Sequence, residues 1–212
     1  IGFRLGDLNV YKVHNLVQLR CSTTIEAQAI LIKDLFKKYG NVHVWKAKRG
    51  TLEIIALLNK SFEFLLPKKD LIENWIIDNK KYFLSFLAGY ADAEGSYYLR
   101  KPYYKDSKCD WGVFEIQTYD KNIIHTIHEY LIRLGIENTF SKSRSAGYID
   151  KRGIKTNKDC WRITIVRKQF LWDFIKLIEY YHKHRNKIEE LGKVKDNLIK
   201  RNNLPYCRPI KL

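Results

Sequence analysis

The sequence predicts an α+β chain built from two repeated units, each running helix, two strands, helix, two strands, helix, with two antiparallel four-stranded sheets related by a pseudo-twofold axis. Three observations carry that reading. A glycine stands five positions before an acid twice, Gly2 before Asp7 and Gly89 before Glu94. Each acid directly precedes a run alternating between apolar and polar residues, the period of a strand with one face buried. The same succession of helical and alternating segments then follows both acids. Gly2 and Gly6 lie four apart, as do Gly89 and Ala93, and residues four apart share one helix face. Small side chains on that face predict two helices packed backbone against backbone. Glycine costs about 1 kcal/mol against alanine inside a helix, so its placement there needs such a packing reason.

The elements follow in order. Leu8–Val13 and Leu16–Cys21 alternate and read as a strand pair. Thr23 or Thr24 is placed to cap the next helix, in which Ile25, Ala29, Ile32, Leu35 and Phe36 recur at helical spacing until Gly40 stops it. Val42–Lys46 and Thr51–Leu58 form the second pair across a turn carrying Lys48, Arg49 and Gly50, and a helix around Asp70–Ile77 closes the first unit. In the second unit the strands are Ser96–Tyr103 and Trp111–Thr118. Asp120 then caps a helix bearing Ile123, Ile127, Leu131 and Leu134, and Gly135 ends it. Thr139–Arg144 and Cys160–Val166 are the last strands, and helices near Phe170–Tyr181 and Ile188–Lys200 finish the chain. The two units are expected to span residues 1–78 and 79–212, with no Gly/Ser linker between them. The second has longer hairpins, around Tyr103–Asp110 and Ser145–Asp159. The chain begins inside its first helix and holds no methionine, so that helix is expected to extend upstream.

Two helices meeting on their small faces bring Asp7 and Glu94 together at their C-terminal ends. A carboxylate sits poorly against the negative end of the helix dipole, and a divalent cation held between the two acids relieves that penalty. The 39 basic residues against 23 acidic ones give a net charge of +16, which points to a polyanionic partner, with nucleic acid leading. No apolar run reaches membrane-spanning length and no basic amphipathic helix is evident, so no membrane partner is expected. Cys21, Cys109, Cys160 and Cys207 are scattered without ligand spacing and read as buried thiols rather than a zinc site. His125 and His128 lie three apart on a helix with an apolar face and read as surface or core rather than as ligands.

The run Leu87-Ala88-Gly89-Tyr90-Ala91-Asp92-Ala93-Glu94-Gly95 resembles the LAGLIDADG motif of homing endonucleases. Ile1-Gly2-Phe3-Arg4-Leu5-Gly6-Asp7 resembles it more distantly, since Leu8 and Asn9 follow the acid where the family usually has glycine. With the repeat, the resemblance covers nearly the whole chain. It implies a single-chain, monomeric enzyme whose two sheets form a DNA-binding saddle, cutting both strands of a long site with short 3′ overhangs. It further implies Mg2+, with Mn2+ as a substitute, held beside the scissile phosphates by Asp7 and Glu94 with help from the carbonyls of Gly6 and Ala93. Gln117 stands where the family carries a water-orienting glutamine, Arg20 at the equivalent place in the first unit. Lys60 and Lys168 are candidates for charge stabilisation, and Asp92 reads as structural.

On the exposed sheet faces, alternate side chains are expected to meet DNA. The candidates are Tyr11, Arg20, Lys46, Lys48 and Arg49 in the first unit. In the second they are Arg100, Tyr104, Lys105, Lys108, Gln117, Lys142, Arg144, Lys151, Arg152, Lys155, Lys158 and Arg162. Arginine pairs bidentately with guanine and glutamine with adenine in the major groove, while hairpin lysines grip phosphates. The polar, basic Ser145–Asp159 hairpin, with Gly147 and Gly153, is expected to be mobile until it meets a nucleic-acid backbone. Two other readings use the same scaffold: a maturase that binds intron RNA, and a DNA-binding regulator without cleavage. All three place the chain inside a cell, in prokaryotic cytoplasm or an organelle.

Overall fold

The computed structural model describes residues 1–101 and 110–203. Tyr104, Lys105 and Lys108, with Cys109 and Cys207, lie outside the described residues. The first unit contains α1 (Gly2–Asp7), β1 (Asn9–Val13), β2 (Leu16–Thr23), α2 (Glu26–Phe36), β3 (Gly40–Lys46) and β4 (Leu52–Asn59). A 3₁₀ segment over Lys60–Leu65 and the short α3 (Asn74–Ile77) follow. The second contains α4 (Lys80–Glu94), β5 (Gly95–Arg100), β6 (Trp111–Thr118), α5 (Lys121–Arg133), β7 (Thr139–Arg144), β8 (Cys160–Ile165), α6 (Lys168–Ile178), a 3₁₀ turn at Glu179–Tyr181 and α7 (Arg185–Asn202). Both sheets are antiparallel and four-stranded, ordered β1-β2-β4-β3 and β5-β6-β8-β7, so the predicted α+β duplication is the observed architecture.

Burial follows the periodicities. In α5 the residues Ile123, Ile124, Ile127 and Leu131 are fully buried, while His125, Glu129 and Arg133 face solvent. One core gathers Phe3, Leu8, Val10, Val17, Leu19, Ile32, Ile54, Ala56 and Leu58. The other gathers α4, α5, α6 and the inner faces of β5, β6 and β8. Helices α1 and α4 cross between them and exchange residues: Leu5 of α1 belongs to the second core, and Ala93 of α4 packs on the first.

That crossing is as close as the glycine spacing predicts. A Cβ on Gly2 would lie 2.0 Å from the Phe86 carbonyl oxygen, and one on Gly6 would lie 2.3 Å from Ala93 Cβ. Gly6→Ala must therefore push the helices apart. An overpacking cost of about 2 kcal/mol is expected, or roughly 4–8 °C in Tm for a chain of this size, readable by calorimetry.

Several local expectations change. Asp120 occupies the N-cap position of α5 without capping it. Asp70 does so from 52 residues away, accepting from the backbone N–H groups of Asn122 at 3.0 Å and Ile123 at 2.9 Å. The helix expected around Asp70–Ile77 is confined to Asn74–Ile77, and Asp70 lies before it. Gly40 does not terminate α2, which ends at Phe36; it opens β3, whereas Gly135 ends its helix with φ +78°. Within the Ser145–Asp159 hairpin, Gly147 N donates to Thr156 O and Thr156 N to Tyr148 O, both at 2.8 Å.

Asp92 is buried as a structural group. Its Oδ1 bonds His182 Nδ1 at 2.6 Å, its Oδ2 accepts from the backbone N–H groups of Lys183 at 2.9 Å and His184 at 3.2 Å, and His182 Nε2 meets the Tyr97 hydroxyl at 2.8 Å. The segment leading into α7 is thereby tied to α4. Cys21 and Cys160 are buried free thiols, as predicted. His128 Nδ1 bonds Asn138 Oδ1 at 2.7 Å and His125 stacks edge-on to Phe140.

Candidate functional site

Asp7 and Glu94 are the last residues of α1 and α4. The crossing that buries Gly6 against Ala93 also brings Glu94 Oε1 within 3.5 Å of where a Gly6 Cβ would stand. Burial pushes the Asp7 carboxyl up to about 6, against the pull of Lys68 and Lys187. Burial pushes Glu94 up to about 7, helped by the charges of Asp7 and Asp120 and opposed by Lys68. The motif thus places two carboxylates where their charges are disfavoured, at the negative ends of two helices.

Each acid has its own surroundings. Asp7 Oδ2 accepts from Gln28 Nε2 at 2.7 Å. Glu94 opens on a cavity of about 500 Å³ lined by Lys68, Thr118, Tyr119, Asp120 and the hairpin residues Ile154 to Lys158. Asp120 Oδ2 accepts from the Tyr90 hydroxyl at 3.2 Å, and burial raises its carboxyl against the pull of Lys158. Lys68 Nζ stands 3.5 Å from the Gly6 carbonyl oxygen and acts on Asp7, Glu94 and Asp120 alike. The hairpin therefore brings Lys155 and Lys158 beside Glu94, a placement that its length alone does not reveal.

These donors fit a divalent cation of the magnesium kind. Both are hard carboxylate oxygens whose ionised forms gain from a counter-charge, and the Gly6 carbonyl faces outward to Lys68. Among the described residues no group of three His, Cys, Asp or Glu side chains has metal-holding geometry. Magnesium is held through as few as one or two carboxylates and keeps water and phosphate oxygens among its ligands, so few protein donors suffice.

Strand register decides which side chains share a face. Asn9, two after Asp7, pairs with Arg20, and Ser96, two after Glu94, pairs with Glu115. Glu115 is thus the counterpart of Arg20, and the counterpart of Gln117 is Ser22, so the strand pairing shifts the expected equivalence of Arg20 and Gln117 by two positions. Gln117 itself gives its amide to Cys160 Sγ at 3.4 Å, and it is Thr118 of β6 that lines the Glu94 cavity. Lys60 and Lys168 begin their helical segments, Lys168 Nζ lying 3.5 Å from Asn202 Oδ1. A lysine that acts on both acids is Lys68, in the irregular stretch after Leu65.

On the open sheet faces stand Tyr11, Arg20, Arg100, Arg162 and Gln117, joined by the exposed Trp45 and Trp111, which charge-based reading passed over. Arg162 pairs with Glu115 at 3.7 Å and Arg100 donates to the Tyr98 hydroxyl at 2.9 Å. A bulge between Lys142 and Arg144 sets Arg144 opposite Cys160, on the same face. Lys46 and Lys142 do not belong there. Lys46 shares the register of Val42 and Val44, whose partners Ala56 and Ile54 are core, and Lys142 pairs with Asp159 at 2.6 Å beside the Trp161 ring. Parity along an edge strand, invisible without the pairing, puts both on the helix side. Arg49 is bound to Glu53 at 2.6 Å and Arg152 to Asp150, while Lys48 and Lys151 are exposed on turns.

Residues 82–179 match the family model of the LAGLIDADG-like domain. The second unit thus holds a LAGLIDADG-like domain. The fold of the chain is that of single-chain LAGLIDADG homing endonucleases. I-GzeII in complex with its DNA target aligns over 97% of this chain and 91% of its own at 13% identity and TM-score 0.60. I-DmoI, in a complex with DNA and Ca, aligns over 91% and 96% at 15% identity and TM-score 0.56. The meganuclease I-SmaMI, bound to uncleaveable DNA, aligns over 95% and 88% at 12% identity and TM-score 0.57. No curated protein matches the chain. The LAGLIDADG run itself maps onto the α1–α4 crossing, its glycines in the contact and its acids at the end.

Proposed function

We propose that this chain is a site-specific, divalent-metal-dependent endonuclease acting on double-stranded DNA, working as a monomer with two centres, one for each strand. The observation that carries the reading is the pair of half-buried carboxylates at one helix crossing, Asp7 and Glu94, with carboxyls raised to about 6 and about 7 and Lys68 acting on both. Asp7 and Glu94, with the carbonyls of Gly6 and Ala93, would hold Mg2+, or Mn2+ in its place. The chemistry such an ion would supply there is an activated water and neutralisation of charge on the phosphorus oxygens and the departing 3′ oxygen.

The chain's own groups supply the rest. Lys68 balances charge at the scissile phosphates. Lys155 and Lys158 hold backbone phosphate on the Glu94 side, and Lys48 and Lys151 do so at the turns, giving salt-dependent affinity. Arg20, Arg100, Arg144, Arg162 and Gln117 read base edges from the open faces, with Tyr11 beside them. We place the protein inside a cell, in prokaryotic cytoplasm or an organelle, where such a substrate lies.

The test is incubation with a randomised duplex library, with and without Mg2+, and sequencing of cleaved ends. Metal-dependent breaks at one long site support the endonuclease. DNA binding without breaks under Mg2+ or Mn2+ contradicts it and makes structured intron RNA the next ligand to try.

The raised carboxyls also set a pH dependence of stability without metal. A carboxyl whose folded pKa lies above its unfolded value near 4 binds more protons in the folded state, so its contribution to stability is lost as pH rises from about 4 through the folded pKa. In EDTA, the double variant Asp7→Asn, Glu94→Gln is therefore expected to melt above the wild type at pH 8, with the gap closing by pH 5. Equal gaps at both pH values would contradict the burial cost assigned to these acids.

A further inference from the structure

We infer that Gln28 is a positioning residue for the Asp7 carboxylate, serving one of the two centres only. The inference rests on reading Asp7 and Glu94 as two cation-holding centres. Gln28 is the third residue of α2 and only 7% exposed. Its Nε2 donates to Asp7 Oδ2 at 2.7 Å, and its Oε1 accepts from the Thr23 hydroxyl at 2.5 Å. Thr23 Oγ1 in turn accepts from the Ile25 backbone N–H at 3.0 Å. The ionised Asp7 carboxylate only accepts, so the amide nitrogen turns toward it and Oε1 is left to accept the Thr23 hydroxyl proton, while Thr23 Oγ1 still has lone pairs for the Ile25 N–H. A buried amide needs partners at both ends, and Gln28 finds one of them in the candidate catalytic acid.

The second centre is built differently. The helices α2 and α5 are counterparts, with Ile25 and Asp120 at their N-cap positions. The third residue of α5 is Ile123, fully buried and apolar. Where Asp7 receives an amide donor, Glu94 faces the carboxylate of Asp120, itself held by Tyr90. Gln28 engages one oxygen of Asp7 and leaves Oδ1 to a cation, with the plane of the carboxylate fixed. Groups that orient a ligating side chain in this way alter metal affinity or rate by about 10–100-fold when removed.

The test uses the duplex recovered from the library, with the two strands carrying different labels, and the Asp7→Asn variant to mark the strand cut at the Asp7 centre. Gln28→Leu and the isosteric Gln28→Glu, which keeps the shape but replaces the donor with an acceptor, should slow that strand by about 10–100-fold in kcat with KM for the duplex unchanged. The other strand should keep its wild-type rate, so nicked product accumulates. Thr23→Val should show the same strand bias more weakly. Independently of cleavage, Mn2+ binding followed by the free-ion electron paramagnetic resonance signal should weaken at one site of two. Equal slowing of both strands, or an unslowed Asp7 strand with unchanged Mn2+ binding, overturns the inference. A wild type that cuts neither strand and binds no Mn2+ removes the two-centre reading itself, and the inference falls with it.

Discussion

Asp7→Asn and Glu94→Gln are each expected to abolish double-strand cleavage while leaving DNA affinity near the wild-type value. Each substitution keeps the side-chain shape in a crossing with no spare room, since a Cβ on Gly6 would already lie 3.2 Å from Glu94 Cγ. What is lost is the charge and one hard oxygen. The amide nitrogen cannot ligate a cation, and the electrostatic stabilisation such an ion supplies amounts to several kcal/mol, or on the order of a thousandfold in rate at the affected strand. The basic residues proposed to hold the phosphates are untouched, so binding persists. Removing the charge of Asp7 also relieves Glu94 of one of the repulsions that raise its carboxyl, so folding is not expected to suffer. The measurement is single-turnover cleavage with strand-specific labels beside an electrophoretic mobility shift. Cleavage of both strands at wild-type rates by either variant would remove that acid from the mechanism. Loss of binding in step with loss of cleavage would instead mean that the acids organise the sheets.

The contrast between what the sequence displays and what it hides follows from the range of the interactions. Strand and helix periods are local, so β6 and β7 begin and end where the alternation does. The glycine spacing is local too, and it sufficed to place both acids at one crossing. Whether a given strand residue faces the helices or the open side is not local at a strand end. Lys46 and Lys142 follow from the pairing of an edge strand, and Arg144 follows from a bulge. Gln28 sits among apolar residues of α2 and reads as an ordinary polar position until α1 is laid against it. Lys68 and Asp70 lie in a stretch with no period at all, yet one acts on both acids and the other caps α5. Charge counting favoured lysines and arginines on turns and missed Trp45 and Trp111, whose exposure marks the same open faces.

Asp92→Leu is expected to be the most destabilising substitution in the motif, although its neighbour Glu94 is the candidate catalytic residue. Residues two apart on a helix point to opposite sides, so the two acids of the run serve opposite faces of α4. Asp92 accepts from His182 and from the backbone N–H groups of Lys183 and His184, of which His182 and His184 are buried. Leucine is close in volume but accepts nothing. Each buried donor left without an acceptor costs about 1–3 kcal/mol, which suggests a total on the order of 4 kcal/mol, or roughly 10 °C in Tm. Asp92→Asn should cost less, because its oxygen can keep the two backbone donors while His182 adjusts its tautomer to meet the amide. The functional consequence runs through α7. The segment that Asp92 holds leads into this helix, which packs on β5 and carries Lys187 toward Asp7. Loosening it should therefore lower cleavage at temperatures well below the melting transition, and hydrogen exchange should show lost protection in α7 before the α1–α4 crossing opens. If exchange instead rises uniformly, the Asp92 cluster is a stabilising contact of the whole core rather than the latch of α7.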